Sequence, residues 1–282
     1  MCLDSERLAV GYMVVAKLYL VRDPLRGRDC STFSETVTHI LSQVRVRVPS
    51  SGFIKRKQES DMPRVKKPNI FDAIRNDEFE LVKALIEEDP SIVNSEAPKK
   101  PADSKGMSPL QVAVTTGWHR EIAWYLLEHG ADVNHIEPAN MQPYQADPCF
   151  FDVAQVAIRN ARRLEWDGET KEYRMMHSKE TADEAFEFLK AVIDHGADIK
   201  KTDYYDNGVM ARVLFAADCV YPNPKYIAFK HTDEQDEDLF RIFKFLIDRG
   251  AEKNTVSKVS KTPLIDMYND KPIWGLVGKL FE

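Results

Sequence analysis

From Pro68 onward the apolar residues fall into the rhythm of helices that hide one face. Phe71, Ile74, Phe79, Val82, Leu85 and Ile86 recur at steps of three and four, the spacing that gathers side chains along one helical stripe. Polar Asn76-Asp77 interrupts the stripe. This predicts a short helix over 69–76 and a longer one over 78–88, with Asp77 capping the second and Asp89-Pro90 ending it. A second unit follows. Ser108 can cap a helix whose first position is Pro109, where the missing N–H costs nothing. Leu110, Ala113 and Val114 face inward, and Gly117 ends the helix. Ile122, Ala123, Leu126 and Leu127 bury one face of the next helix, and Gly130 closes it in the left-handed conformation that glycine adopts cheaply. Asp132 and Asn134 are expected to bond their own backbone and shape the turn that follows.

The unit recurs. Gly130-Ala131-Asp132 reappears as Gly196-Ala197-Asp198 and, less closely, as Gly250-Ala251-Glu252. A third unit is expected from helices over Phe151–Arg163 and Thr181–His195, with Leu164–Glu180 as an insertion between them. A fourth is expected from Val209–Cys219 and Asp238–Arg249, with Val220–Glu237 as a long connector. A fifth opens at Lys261-Thr262-Pro263-Leu264-Ile265 and ends with a helix over Pro272–Phe281. Such a hairpin buries its apolar face only against its neighbours, so the chain reads as an all-α solenoid of about five units with inserts in the third and fourth.

Residues 1–61 do not share this pattern. Stretches 8–20 and 33–48 could be short helices or strands, separated by charged Arg22–Asp29, and the basic run Lys55-Arg56-Lys57 reads as a linker. The repeat-like sequence begins at Met62, which divides the chain into a non-repeat, poorly packed 1–61 and a repeat domain 62–282. Leu8–Leu20 is apolar but short, broken by Lys17 and preceded by Asp4 and Glu6, so neither a membrane span nor a secretory signal is expected. Cys2, Cys30, Cys149 and Cys219 are scattered, without a Cys-x-x-Cys pair, which fits a reducing compartment and a cytoplasmic protein.

Charge is uneven. The net charge is −6, but residues 1–67 hold 13 Lys and Arg against 7 Asp and Glu. The remainder is therefore acidic, which disfavours nucleic acid and suits a partner with a basic surface. The run Asp233-Glu234-Gln235-Asp236-Glu237-Asp238 could clasp such a partner or serve a helix start. No catalytic group set emerges. His129 and His195 precede the Gly-Ala-Asp turns without close metal-ligand companions, His119 has only Glu121 nearby, and Glu87-Glu88 faces solvent. Phosphate-binding glycine loops and the nucleophile elbow are missing. No cofactor, metal or catalytic residue is expected, and an enzyme built on Cys2, Cys30 and His39 is the remote alternative, because nothing orients them.

The segment Lys105–Asn134 resembles the ankyrin repeat: Gly-x-Ser-Pro-Leu-Gln-x-Ala, then Leu-Leu-Glu-His-Gly-Ala-Asp-Val-Asn. Ser108 stands for the usual Thr, Gln111 for the usual His, and Trp118 is one extra residue between the helices. Thr262-Pro263-Leu264 matches the opening of a terminal repeat, while units three and four lack that opening. The resemblance implies protein binding through a concave face and hairpin tips. It points to Lys105, Met107, Thr115 and Thr116 in the second unit and to Glu137, Asn140, Met141, Tyr204, Tyr205 and Asn207 at later tips. Tyr204-Tyr205 is the strongest pair, since exposed tyrosines give contact area at low entropic cost. The expected function is a non-catalytic scaffold for a protein partner, with a regulatory or immunity subunit that neutralises an enzyme or toxin as the alternative. Leu126 and Asn134 further resemble the segments that asparaginyl hydroxylases accept, which makes Asn134 a candidate for hydroxylation.

Overall fold

The computed structural model describes residues 69–138, 140–141, 146–223, 225 and 228–282. The expectations for 1–61, for the Met62 boundary and for Cys2, Cys30 and His39 lie outside the described residues. Within them the chain forms five successive helix pairs: α1 (Ile70–Arg75) with α2 (Phe79–Glu88), α3 (Pro109–Thr115) with α4 (Arg120–Glu128), α5 (Cys149–Arg159) with α6 (Lys179–Asp194), α7 (Val209–Val220) with α8 (Asp233–Asp248), and α9 (Leu264–Tyr268) with α10 (Pro272–Phe281). The first helices of consecutive pairs pack in a row, α1 on α3, α3 on α5 and α5 on α7.

Local chemistry explains the ends of these helices. Asn69 caps α1 by accepting the Phe71 N–H at 3.0 Å. Ser108 and Gln111 form a reciprocal capping box on α3, with Pro109 at its first position. Two expected caps fall elsewhere. Asp77 sits at φ 57°, where its side chain cannot reach the first turn of α2; it meets His119 of the next pair at 3.0 Å instead. The α3–α4 turn takes its left-handed residue at Trp118 (φ 53°), not at Gly117. Gly117 sits close to the next helix start: a Cβ there would stand 3.0 Å from the His119 ring, which would have to give by a few tenths of an ångström.

Gly130, Gly196 and Gly250 close α4, α6 and α8 at φ 84°, 94° and 93°. Asp132 accepts the Asn134 N–H at 2.8 Å, as expected. Asn134 itself does something different. Its amide donates to Gly196 O (2.8 Å) and accepts from the Asp198 N–H (2.7 Å), reaching the following pair. Asn94 makes the same two bonds to Gly130 O (3.0 Å) and Asp132 N–H (2.7 Å). One rung therefore spans 36 residues and the next 62, so the third pair occupies one step of the stack despite its length. Lys200 stands where a third rung would need asparagine. There the second helices are tied by Arg241 to Asp183 (2.5 Å), Arg249 to Asp194 (2.6 Å) and the edge-to-face pair Phe186–Phe245.

Helix α5 is the centre of the core. Every residue from Cys149 to Ile158 is buried, Asp152 and Gln155 included, because helices pack on several sides of it. It packs against α3, α6, α7 and α8, and Phe150, Phe151 and Ile158 are fully buried.

The structure is mostly helical, as expected, with a small sheet added by the connecting segments. The insertion after α5 is a hairpin, β1 (Leu164–Asp167) and β2 (Glu172–Met175), and the connector after α7 adds β3 (Phe229–Lys230); the antiparallel order is β2-β1-β3. Asp167 shapes the turn by accepting the Glu169 and Thr170 N–H groups, and Trp166 packs edge-to-face on Tyr173 across the strands at 5.3 Å. Helix α8 begins at Asp233, five residues before the expected Asp238, because Thr232 caps it by accepting the Gln235 N–H (3.1 Å). The acidic run thus serves as the start of a helix, with Asp233, Glu234 and Asp236 in its first turn. Asp238 is fully buried, where it accepts the Arg162 N–H and Nε (each 2.9 Å) and pairs with Arg241 (2.9 Å). That carboxylate fixes the root of the hairpin insertion to α8.

Two outcomes are expected in thermal unfolding. Nothing lies within 4 Å of a Cβ built on Gly130, so Gly130→Val should lose at least about 1 kcal/mol through backbone strain alone; an unchanged melting temperature would count against this. Asp238→Ala should cost about 3 kcal/mol, because it leaves two arginines without their shared partner; a loss under about 1 kcal/mol would place the insertion's anchor elsewhere.

Candidate partner-binding surface

The loop entering each first helix folds into a tip. Ala97 and Gly106–Met107 exchange backbone bonds at 2.8 and 2.9 Å in the first tip, Ile136 bridges Pro148 in the second, Asp203 donates to Asn207 O at 2.9 Å in the third, and Val256 bridges Pro263 in the fourth. The tips also hold one another. The Tyr204 N–H reaches Ala146 O at 3.4 Å, the Lys258 N–H reaches Tyr205 O at 3.0 Å, and the His135 ring meets Gly106 O at 2.9 Å. Adjacent tips therefore form a continuous row, joined by backbone bonds from the second to the fourth and by the His135 side chain between the first and second.

A charged floor lies beneath this row. Arg212 of α7, 3% exposed, donates to Asp147 of the second tip and to Asp203 of the third (2.6 Å). Asp203 also accepts the Tyr205 and Asn207 N–H groups and the Asn207 amide. Glu137 accepts the Asp147 N–H at 2.9 Å, and Gln111 of α3 donates to Asp152 of α5 at 3.1 Å. Burial raises the Asp203 carboxyl above its ordinary range, opposed by those donors. Burial also pulls the Arg212 guanidinium down to about 9, which leaves it charged at neutral pH. The Cys149 thiol, enclosed and beside Asp152, is pushed up and stays protonated.

This geometry sorts the ten candidate contact residues. Asn140 and Tyr204 are exposed; Lys105, Thr115, Thr116, Met141, Tyr205 and Asn207 are half-buried. Met107 and Glu137, each 1% exposed, are corrected from contact residues to interior ones: Met107 fills the core and Glu137 holds Asp147. Thr115 and Thr116 turn their hydroxyls back onto Gln111 O and Val112 O, each at 2.7 Å, and the Asn207 amide faces Asp203. Tyr204 and Tyr205 meet edge-to-face at 5.1 Å, with the Lys258 ammonium 5.0 Å from the Tyr204 ring centre. Asn134 is half-buried, with both ends of its amide bonded into the next pair.

Sequence reading missed Arg212 and the carboxylates it joins. One signal was available: a lone arginine in the otherwise apolar stretch Val209–Ala217, where a charge needs a buried partner. The exposed Val256 and Val259 were missed because they belong to no periodic stripe. The acid excess expected from the sequence lies on the second helices of the pairs. Acids outnumber bases in each of α2, α4, α6 and α8, whereas the fourth tip carries Lys253, Lys258 and Lys261 against Glu252. Among the described residues no set of three metal-ligating side chains converges, and no helix is long and apolar enough to cross a membrane.

Arg212→Met should destabilise the fold by about 3 kcal/mol, by leaving Asp147 and Asp203 buried without their cation. The loss should grow as pH rises. A carboxyl with a raised folded pKa holds its proton more tightly when folded, so its favourable contribution is present below the unfolded value and lost as pH climbs through the folded value. Removing the cation moves that folded value further up. Melting temperatures from pH 4 upward test this; a parallel fall at every pH would exclude the Asp203 carboxyl.

No curated protein matches this chain. A family model described as ankyrin repeats (three copies) matches residues 56–137, the span whose described part includes the first two helix pairs, so this part of the chain is similar to ankyrin repeats.

Proposed function

We propose that the chain is a non-catalytic protein-binding module, that all five helix pairs act as one ankyrin-like stack, and that the partner docks on the row of tips. The observation that carries this reading is the tip row itself: loops hydrogen-bonded to one another, the middle two standing on a buried charged floor, with Tyr204 exposed at 45%. Stiff loops lose little entropy on docking. Repeats of this family are generally interaction modules, and the tips offer Lys105, Asn140, Met141, Tyr204 and Tyr205 to solvent.

A basic partner gripped by an acidic concave face has weaker support. The acids are concentrated on α2, α4, α6 and α8, and many are already paired, as Asp183 is with Lys179 and Arg241. Surface pairs of this kind contribute little to steering a partner.

The test is affinity capture from the source cell with the full chain as bait, followed by mass spectrometry. A captured protein should lose about 1–2 kcal/mol of affinity to Tyr204→Ala and little to Met175→Ser on the sheet. A partner indifferent to every tip substitution would overturn the reading.

A further inference from the structure

Three of the six large apolar side chains that stand most exposed among the described residues crowd onto two adjoining tips. Tyr204 is 45% exposed, Val256 48% and Val259 54%; the others, Met175, Met176 and Phe240, lie elsewhere. The tips are joined by the Lys258 N–H on Tyr205 O, by the Lys258 ammonium over the Tyr204 ring, and by a 3.3 Å ion pair between Lys258 and Asp206.

The fourth tip is inverted relative to ordinary solvation. Thr255 and Ser257 are each only 8% exposed, while Val256 and Val259 point outward. Here the backbone turns two small polar side chains in and two valines out, the reverse of what water favours for those four. Such an arrangement is stabilised when another surface covers the valines. The charge around them also differs from the acidic second helices: Lys253, Lys258 and Lys261 stand against Glu252 and Asp206, the last already paired with Lys258.

Resting on the protein-binding reading, we infer that the tips 203–206 and 252–262 form a docking patch for an acidic segment of a protein partner that carries apolar side chains. Val256, Val259 and Tyr204 cover the apolar side chains, and the three lysines face the flanking carboxylates. A nucleic acid would satisfy the lysines but leave the valines facing phosphate and water, so a peptide fits the patch better.

The probe is a fluorescein-labelled peptide in which Glu and Asp flank Leu and Phe, titrated with the full chain by anisotropy. Controls are the same peptide with Lys in place of its acids, one with Ser in place of its apolar residues, and a single-stranded oligonucleotide. The acidic apolar peptide should bind, more weakly as salt rises, and each altered peptide should bind at least about tenfold less tightly. Lys258→Glu with Lys261→Glu, and separately Val259→Ser, should each lower affinity about tenfold. These variants should keep the parent melting temperature, and Lys83→Glu on α2 should bind as the parent does. Absence of binding, equal binding of the lysine-substituted peptide, or indifference to the tip variants would overturn the inference. Tighter oligonucleotide binding that the same variants abolish would assign the patch to nucleic acid and overturn it as well. If the tip variants still hold a captured native partner, the patch fails while the protein-binding reading stands.

Discussion

A single pair of antiparallel helices cannot hide its own apolar face, and everything else in this structure follows from that constraint. Each pair finds its missing half on the next one, so α1, α3, α5 and α7 pack in sequence and the most enclosed helix is the middle one, α5. Stability in such a stack is a sum of units and the contacts between them. The contacts are specific as well as apolar. Phe79 meets Tyr125, Trp118 and Trp124 meet Phe188, and Phe186 meets Phe245, so aromatic edges bridge each successive second helix from α2 to α8. Asparagine amides set the step between the first three pairs, and ion pairs do so between the third and fourth.

Two buried arginine–carboxylate nodes tie the irregular parts to this frame. Arg212 collects carboxylates from two different tips, and Asp238 collects two arginines at the root of the hairpin insertion. A buried charge without its partner is costly, so each node penalises any arrangement in which the loop has drifted away. The tips and the insertion are thus positioned by α7 and α8 rather than by their own sequence. The three-stranded sheet adds no fully buried side chain to the core, so its place in the stack depends on that anchoring.

The same architecture divides the surface by character. The second helices carry the acid excess, much of it paired along or between helices. The third and fourth tips carry three exposed apolar residues, Tyr204, Val256 and Val259, and the fourth a lysine excess. Net charge summed along the chain hides this division, because it averages a solvated helical face with a small patch of opposite sign.

The helix pairs were legible in the sequence because their signals are local. The apolar stripes from Phe71 to Ile86 and from Leu110 to Leu127, the Ser108-Pro109 start and the glycines at 130, 196 and 250 each act within a few residues, where backbone sterics and hydrogen bonding decide the outcome. Tyr204 was legible as a contact candidate for the same reason: it stands in a short polar turn between two helices. The hairpin over 164–175 was not, since strands of four residues show too little alternation to stand out. Asp77 as partner of His119, Glu137 and Met107 as interior residues, and Asn134 as a rung to Gly196 were beyond reach, because each depends on a residue more than thirty positions away or on the packing of a neighbouring pair. By itself the sequence determined which segments coil, where they stop and that they must stack. Only the tertiary structure decided which polar groups go inside and which apolar ones are left out, because that choice depends on what the folded chain brings alongside each of them.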